Sequence, residues 1–311
     1  MKTTVWLLAA AAGLAGCSGI EVQGHRGARG LAPENTLAAF QKALDAGVDV
    51  LEMDVAFTKD GWVVVSHDPV LNPDLTRGPD GRYLEGKGPA IKDLTYLELQ
   101  RYDVGRLKPD TDYAKRYPDQ QPVDGARVPL LTDVIELLRR SGHRGVVMNI
   151  EIKTDPRKPE ETPSPEKSAG VLVATLFEAS FLPRVIIQSF DWRALDEVRR
   201  IAPGVPTSYL TVQAKSLDTI AADKPEGSPW TGRYRYADYG SVPKMVKAAG
   251  GKIWSPNAND ITAENVAEAK ALGLQVIVWT VNDPAAVRKV RDLGVNGIIT
   301  DRPDQVRALL K

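Results

Sequence analysis

The sequence predicts one closed (β/α)8 barrel of the α/β class, a TIM barrel, with an insertion after the hairpin of its second strand. Three observations carry this expectation. The chain has 311 residues, 43% of them apolar and 26% charged, enough to bury one large core, and roughly 250 residues are routine for a barrel domain. Eight apolar runs of the parallel-sheet kind alternate with helical patterns, whereas an open sheet would need fewer strands. An open sheet also usually carries a nucleotide fingerprint, and here Gly24, Gly27 and Gly30 in "GHRGARG" are spaced G-x-x-G-x-x-G, with no Walker G-K-[ST] elsewhere.

The first segment, "MKTTVWLLAAAAGLAGCSG", lies outside that barrel. It has an early positive charge at Lys2, a short apolar stretch, and small residues before Cys17, the pattern of an export signal too short to span a bilayer comfortably. The ending "LAGC" resembles a bacterial lipobox, in which the cysteine is lipidated and becomes the mature N-terminus. An ordinary signal with an incidental cysteine and an uncleaved anchor are the alternatives. The expected division is therefore a signal over 1–17 and a barrel over 20–311, exported and lipid-anchored at Cys17 in a bacterial membrane, on the periplasmic side or at the cell surface. Cys17 is the single cysteine, so no intrachain disulfide can form.

The expected strands are "IEVQGH", "VDVLEMDVAF", "GVVMNIEIK", "RVIIQSF", "VPTSYLTV", "KIWSPN", "QVIVWTVN" and "NGIITDRP". Helical patterns follow the first, third, fourth, sixth and seventh, as "ENTLAAFQKALDAG", "SAGVLVATLFEAS", "DWRALDEVRRIAPG", "TAENVAEAKALG" and "DPAAVRKVRDLG". Several close on a glycine suited to a helix C-cap. After the second strand, "TKDG" and "WVVVSHD" predict an antiparallel return. Pairing Phe57 with Trp62 would set Val65 opposite Asp54 and bring His67 back to Glu52. The stretch from Pro69 to Pro129 is rich in Pro, Gly and Asp and fits no β/α unit. It is the expected insertion over the barrel mouth, with a helical turn at Leu94 to Arg101.

Forty basic residues balance forty acidic ones, which gives no electrostatic footprint for nucleic acid or anionic headgroups. An anionic substrate would have to be met locally. Glu52 and Asp54 are two apart on one strand and so share a face, and Glu151 and Lys153 repeat the spacing in "NIEIK". Barrel-interior ion pairs would account for any one of these charges. Together with His25 at another strand end and His67 on the hairpin, they point to a site. Three converging carboxylates repel unless a proton or cation intervenes, so an oxygen-liganded divalent metal is the economical reading.

The segments "HRGARGLAPENT", "LEMDVAFTKDG", "VVVSHDP", "IEIK" and "VWTVN" resemble the glycerophosphodiester phosphodiesterase family in order and spacing, over nearly all of Glu21 to Lys311. The resemblance implies hydrolysis of glycerophosphodiesters to glycerol 3-phosphate and an alcohol. It implies a divalent cation at Glu52, Asp54 and Glu151, with Ca2+ favoured over Mg2+, and an acid/base pair at His25 and His67. Arg26 and Lys153 fall on positions associated with the phosphate, and Phe190 and Trp279 on positions lining the glycerol pocket. It gives no residue for the leaving alcohol. Cleaving a phosphodiester requires charge neutralisation and two proton transfers, tasks suited to basic side chains and to histidine.

Bland readings stand beside several of these. Arg26 would also serve as a structural ion-pair partner, Trp279 alone would ordinarily pack a core, and His143 in "RRSGHRG" reads as exposed. In "PENT", Pro33 and Glu34 suit a helix's first turn, and Glu34 or Asn35 would also suit orienting a histidine or metal ligand. Two rivals stay open at this point: a lysophospholipase D-type phosphodiesterase, and a non-catalytic binding lipoprotein on the same barrel. The second would be expected to have lost a histidine or a metal carboxylate, and all five are present.

Overall fold

A computed structural model of the chain describes residues 19–311. Its eight parallel strands are β1 (Glu21–Gly24), β2 (Val50–Phe57), β3 (Val147–Ile152), β4 (Val185–Ser189), β5 (Thr207–Thr211), β6 (Ile253–Pro256), β7 (Gln275–Val278) and β8 (Gly297–Thr300). Each pairs with the next, and β8 pairs with β1 (Glu21 opposite Gly297), so the sheet has no seam. These are the eight strands expected from the sequence. Around them lie α1 (Leu37–Asp45), α2 (Leu131–Arg140), α3 (Pro165–Glu178), α4 (Trp192–Ile201), α5 (Val242–Ala248), α6 (Ala263–Ala271), α7 (Pro284–Asp292) and α8 (Pro303–Leu310). The expected helical patterns correspond to α1, α3, α4, α6 and α7.

Local chemistry sets the helix ends. Thr36, Ser164, Asp191, Ser241, Thr262 and Asp283 each accept a first-turn N–H, and Gly47, Gly273 and Gly294 follow helix ends at positive φ. Because Thr36 is the cap of α1, Pro33 and Glu34 precede that helix rather than forming its first turn. Asn35, at φ 55°, turns the chain between them. Glu34 faces Arg26 and accepts from its Nη1.

Strand alternation divides the core. On β2, Leu51, Met53, Val55 and Phe57 point outward into the layer shared with the helices, which leaves Glu52 and Asp54 facing inward. Inside the barrel, Ile186, Ile253, Ile277 and Ile299 form an apolar patch capped by Trp279. Gln23, Asn149 and Gln188 form a hydrogen-bonded chain that ends on Glu52.

The return strand after β2 is Val63–Val65, and its register differs by one residue from the expected one. Phe57 faces Val63 and Val55 faces Val65. The Thr58 hydroxyl accepts from the Trp62 N–H and donates to Asp60, while Gly61 takes φ 89°. These contacts hold Trp62 inside a five-residue loop, one residue longer than a four-residue turn. His67 nevertheless returns to the mouth, because the Ser66 N–H bonds the Asp54 carbonyl.

Residues 66–130 connect this strand to α2 and contain a short helix at Tyr96–Leu99. They carry their own apolar cluster, in which Leu71, Ile91, Leu99 and Val128 pack on Ala56 and Val64. A second short helix, Asp112–Arg116, leans on the mouth: Tyr113 donates to Glu34, and the Arg29 guanidinium lies 4.8 Å from the centre of the Tyr117 ring. A second long connection, 212–241, joins β5 to α5.

Candidate active site

The C-terminal ends of β1, β2, β3, β4, β7 and β8 bring the polar side chains together. Glu52, Asp54 and Glu151 are all buried, and each offers an oxygen within 4.8 Å of the others. β2 and β3 set this spacing, since Asp54 lies directly opposite Glu151 in the parallel register. Glu52 is gripped on both oxygens, by the Arg26 backbone N–H at 2.8 Å and by Gln188 Nε2 at 2.8 Å. Asp54 accepts from Asn35 Nδ2 at 3.0 Å. Lys153 lies 2.9 Å from Glu151 and 3.7 Å from Asp54.

The electrostatics show what three close anions cost. Burial and the neighbouring Asp54 charge push Glu52 well above the carboxylate range. Burial raises Glu151 to about 7 against the pull of Lys153. Burial would also raise Asp54, but His67, Arg26 and Lys153 together hold it below its usual value. Three converging oxygen donors whose repulsion Lys153 and Arg26 relieve only in part are the environment a hard divalent cation fits.

His25 follows β1. Its Nδ1–H donates to Asp301 Oδ1 at 2.7 Å, which leaves Nε2 turned toward the carboxylates, 4.0 Å from Glu52. Asp301 is held in turn by Arg29 Nε at 2.9 Å and by Asn282 Nδ2 at 2.7 Å. Arg29 Nη2 lies 3.1 Å from His25 Nδ1, and as a second donor it acts on the ring only through its charge. Burial first, and then Arg29, draw the His25 pKa down to about 4. His67 has a parallel arrangement: its Nδ1 meets Asp68 at 2.7 Å, and Asn72 holds the other Asp68 oxygen at 2.7 Å. Burial, Arg26 and Lys153 lower the His67 pKa as well.

Arg26 pairs with Glu34 at 2.6 Å and approaches Asp54 at 3.4 Å, so it takes part in an ion pair as the bland reading held. The atom that approaches Asp54 is its buried Nε, which among the described residues completes no hydrogen bond, so its charge is directed at the carboxylate cluster. Phe190 and Trp279 meet edge to face at 5.3 Å, both half-buried, with Lys153 5.9 Å from the Phe190 ring centre. Trp230, from the second long connection, backs Phe190 at 6.2 Å. The mouth thus assembles every expected site residue among those described; Cys17 lies outside them. His143 is exposed, as expected. Sequence reasoning did not single out Arg29, Asp68, Gln188, Trp230, Asn282 or Asp301.

Comparison with known proteins agrees with this geometry. Residues 25–305 match the model of the glycerophosphoryl diester phosphodiesterase family. A glycerophosphodiester phosphodiesterase of Caldanaerobacter subterraneus subsp. tengcongensis is 30% identical over 92% of this chain and 96% of its own length. A crystal structure from Silicibacter pomeroyi, of a protein provisionally assigned as a glycerophosphoryl diester phosphodiesterase, superposes with a TM-score of 0.84 at 38% identity over 95% of this chain and 94% of that one. The fold is also shared, at 21% identity and a TM-score of 0.66 over 94% of this chain and 97% of that one, with an Oleispira antarctica phosphodiesterase solved with its product sn-glycerol-3-phosphate. With a family match that spans nearly all of the described barrel, the chain belongs to the glycerophosphoryl diester phosphodiesterase family.

Proposed function

We propose that this enzyme hydrolyses glycerophosphodiesters to glycerol 3-phosphate and an alcohol, with His25 and His67 as its proton-transfer pair. The observation that carries the reading is the placement of two carboxylate-oriented imidazoles beside a buried triad of metal-competent carboxylates. Glu52, Asp54 and Glu151 would hold a divalent cation, which when bound supplies positive charge against the phosphate. Ca2+ is favoured over Mg2+, because exported enzymes meet it at higher concentration and it tolerates irregular oxygen cages.

The chain's own groups do the rest. Arg26, held at the carboxylate cluster by Glu34 and Asp54, and Lys153 bring cationic charge to the phosphate oxygens. The half-buried faces of Phe190 and Trp279 receive the glycerol carbons. Asp301 and Asp68 each engage a histidine at Nδ1 and leave its Nε2 toward the reaction, so a neutral ring takes the nucleophile's proton at Nε2 while the other ring, entering the step as the imidazolium, gives its Nε2 proton to the departing alkoxide. The nucleophile favoured here is the glycerol hydroxyl next to the phosphodiester, giving a cyclic phosphate that water then opens.

The lipobox-like "LAGC" supports lipidation at Cys17, with the membrane as partner and a periplasmic or surface location. β1 starts at Glu21, only a few residues beyond that cysteine, and His25 follows its far end. The tether therefore holds the bottom of the barrel toward the membrane and turns the mouth away from it.

The test is kinetic. His25→Ala and His67→Ala should each lower kcat by about 10²- to 10⁴-fold with the fold intact, and the double variant should be little worse than either single. Near-normal turnover in either single would remove it from the pair. A substrate analogue lacking the glycerol 2-hydroxyl should be inert, and its rapid cleavage would favour direct attack by water.

A further inference from the structure

Between the 66–130 connection and the barrel lies a small open cleft, with His67 and Asp68 on its wall. Leu71, Leu75, Val104, Leu107 and Val128 form its apolar lining. Leu71 and Val128 belong to the apolar cluster of the connection, and Val104 packs against it. Leu75 and Leu107 do not: among the described residues they are half-buried and join no apolar cluster. Two leucines thus offer apolar surface to the cleft that the fold does not consume, which is how a ligand wall differs from a core.

The charges on the wall are already committed. Glu34 is taken by Arg26 and Tyr113, and Asp68 by His67 and Asn72. Among the described residues, no other carboxylate and no Phe, Tyr or Trp ring lines the cleft. A quaternary or primary ammonium would meet no phenyl, phenol or indole face there, and the one carboxylate near His67, Asp68, is already hydrogen-bonded on both oxygens by His67 and Asn72, whereas an alkyl body would cover Leu75 and Leu107. Phe190 and Trp279 stand at the ends of β4 and β7, away from this wall. A phosphodiester between the two histidines therefore has different surroundings for its two esters.

We infer that this cleft receives the leaving alcohol, and that it selects an uncharged alcohol with an alkyl or aryl body over choline or ethanolamine. The inference rests on the phosphodiesterase reading above and adds the substrate class. In such a substrate the alcohol oxygen leaves beside His67, and the carbon chain lies along Leu75 and Leu107.

The experiment measures kcat/KM for glycerol 3-phosphate release by the metal-loaded full chain from glycerophosphohexanol, glycerophosphocholine and glycerophosphoethanolamine. The hexyl diester should be favoured by about tenfold or more, the scale on which an apolar pocket discriminates. Leu75→Glu and Leu107→Glu should each narrow that ratio or reverse it toward choline. Leu75→Asn and Leu107→Asn, milder in a half-buried position, should lower hexyl turnover in the same direction. Equal or better use of the choline diester by the unmodified protein would overturn the inference, as would an unchanged ratio in all four variants. In either case glycerol 3-phosphate is still released, so the phosphodiesterase reading survives. Release from none of the three diesters would defeat that reading and this inference together.

Discussion

Asp301 gathers His25, Arg29 and Asn282 around one carboxylate. Burial alone would raise its pKa, but the His25 and Arg29 charges outweigh burial and hold it well below the ordinary range. A carboxyl depressed in the fold stabilises it above its unfolded pKa of about 3.9, and that stabilisation disappears as pH falls through the folded value. Asp301→Asn should therefore lower Tm at pH 7 and converge on the parent protein as pH drops below about 4, the unfolded Asp value. Equal Tm at pH 7 would show the carboxylate to be idle. At this scale the sequence exposed any residue whose polarity clashes with its strand: Glu52, Asp54, Glu151 and Lys153 stood out from apolar runs. Gln188 in "VIIQS" and Asp301 at the end of "NGIIT" carry the same signal and could have been found by it. Arg29 and Asp68 carry none, because their partners are chosen in three dimensions.

The insertion shows at the scale of elements what pattern can and cannot reveal. Its boundaries are announced by loss of β/α periodicity, and its Thr95 capping box marks a helix at Tyr96–Leu99. Which face of that helix is buried follows only from the fold, since Leu99 is fully buried and Leu97 is 80% exposed. Leu99→Ala should cost about 2–5 kcal/mol of stability and Leu97→Ala less than about 0.5 kcal/mol. Comparable losses in the two, by urea titration, would contradict the packing assigned to this cluster. The hairpin register was legible only to within one residue, because hydroxyl bonds inside the turn, rather than the strand pattern, determined where Trp62 sits. The 212–241 connection, with its two-residue strands, is too irregular to leave a period in the sequence.

The barrel as a whole was the most legible feature, because eight apolar runs at β/α spacing have few other closed arrangements. Joined to the proposed anchor, it predicts that Cys17→Ala gives a soluble protein with unchanged turnover of soluble diesters. Much faster cleavage of lipids embedded in its own vesicle would contradict the outward-facing mouth. The proposed role of Glu52, Asp54 and Glu151 is to hold a cation that serves phosphodiester hydrolysis. Its most direct test follows glycerol 3-phosphate release from glycerophosphodiesters before chelation, after chelation, and after Ca2+ or Mg2+ is restored, with Tm recorded in each state. Release that stops on chelation and returns with metal, accompanied by a rise in Tm on rebinding, is the predicted result. Undiminished release after exhaustive chelation, or no release under any condition, would contradict it.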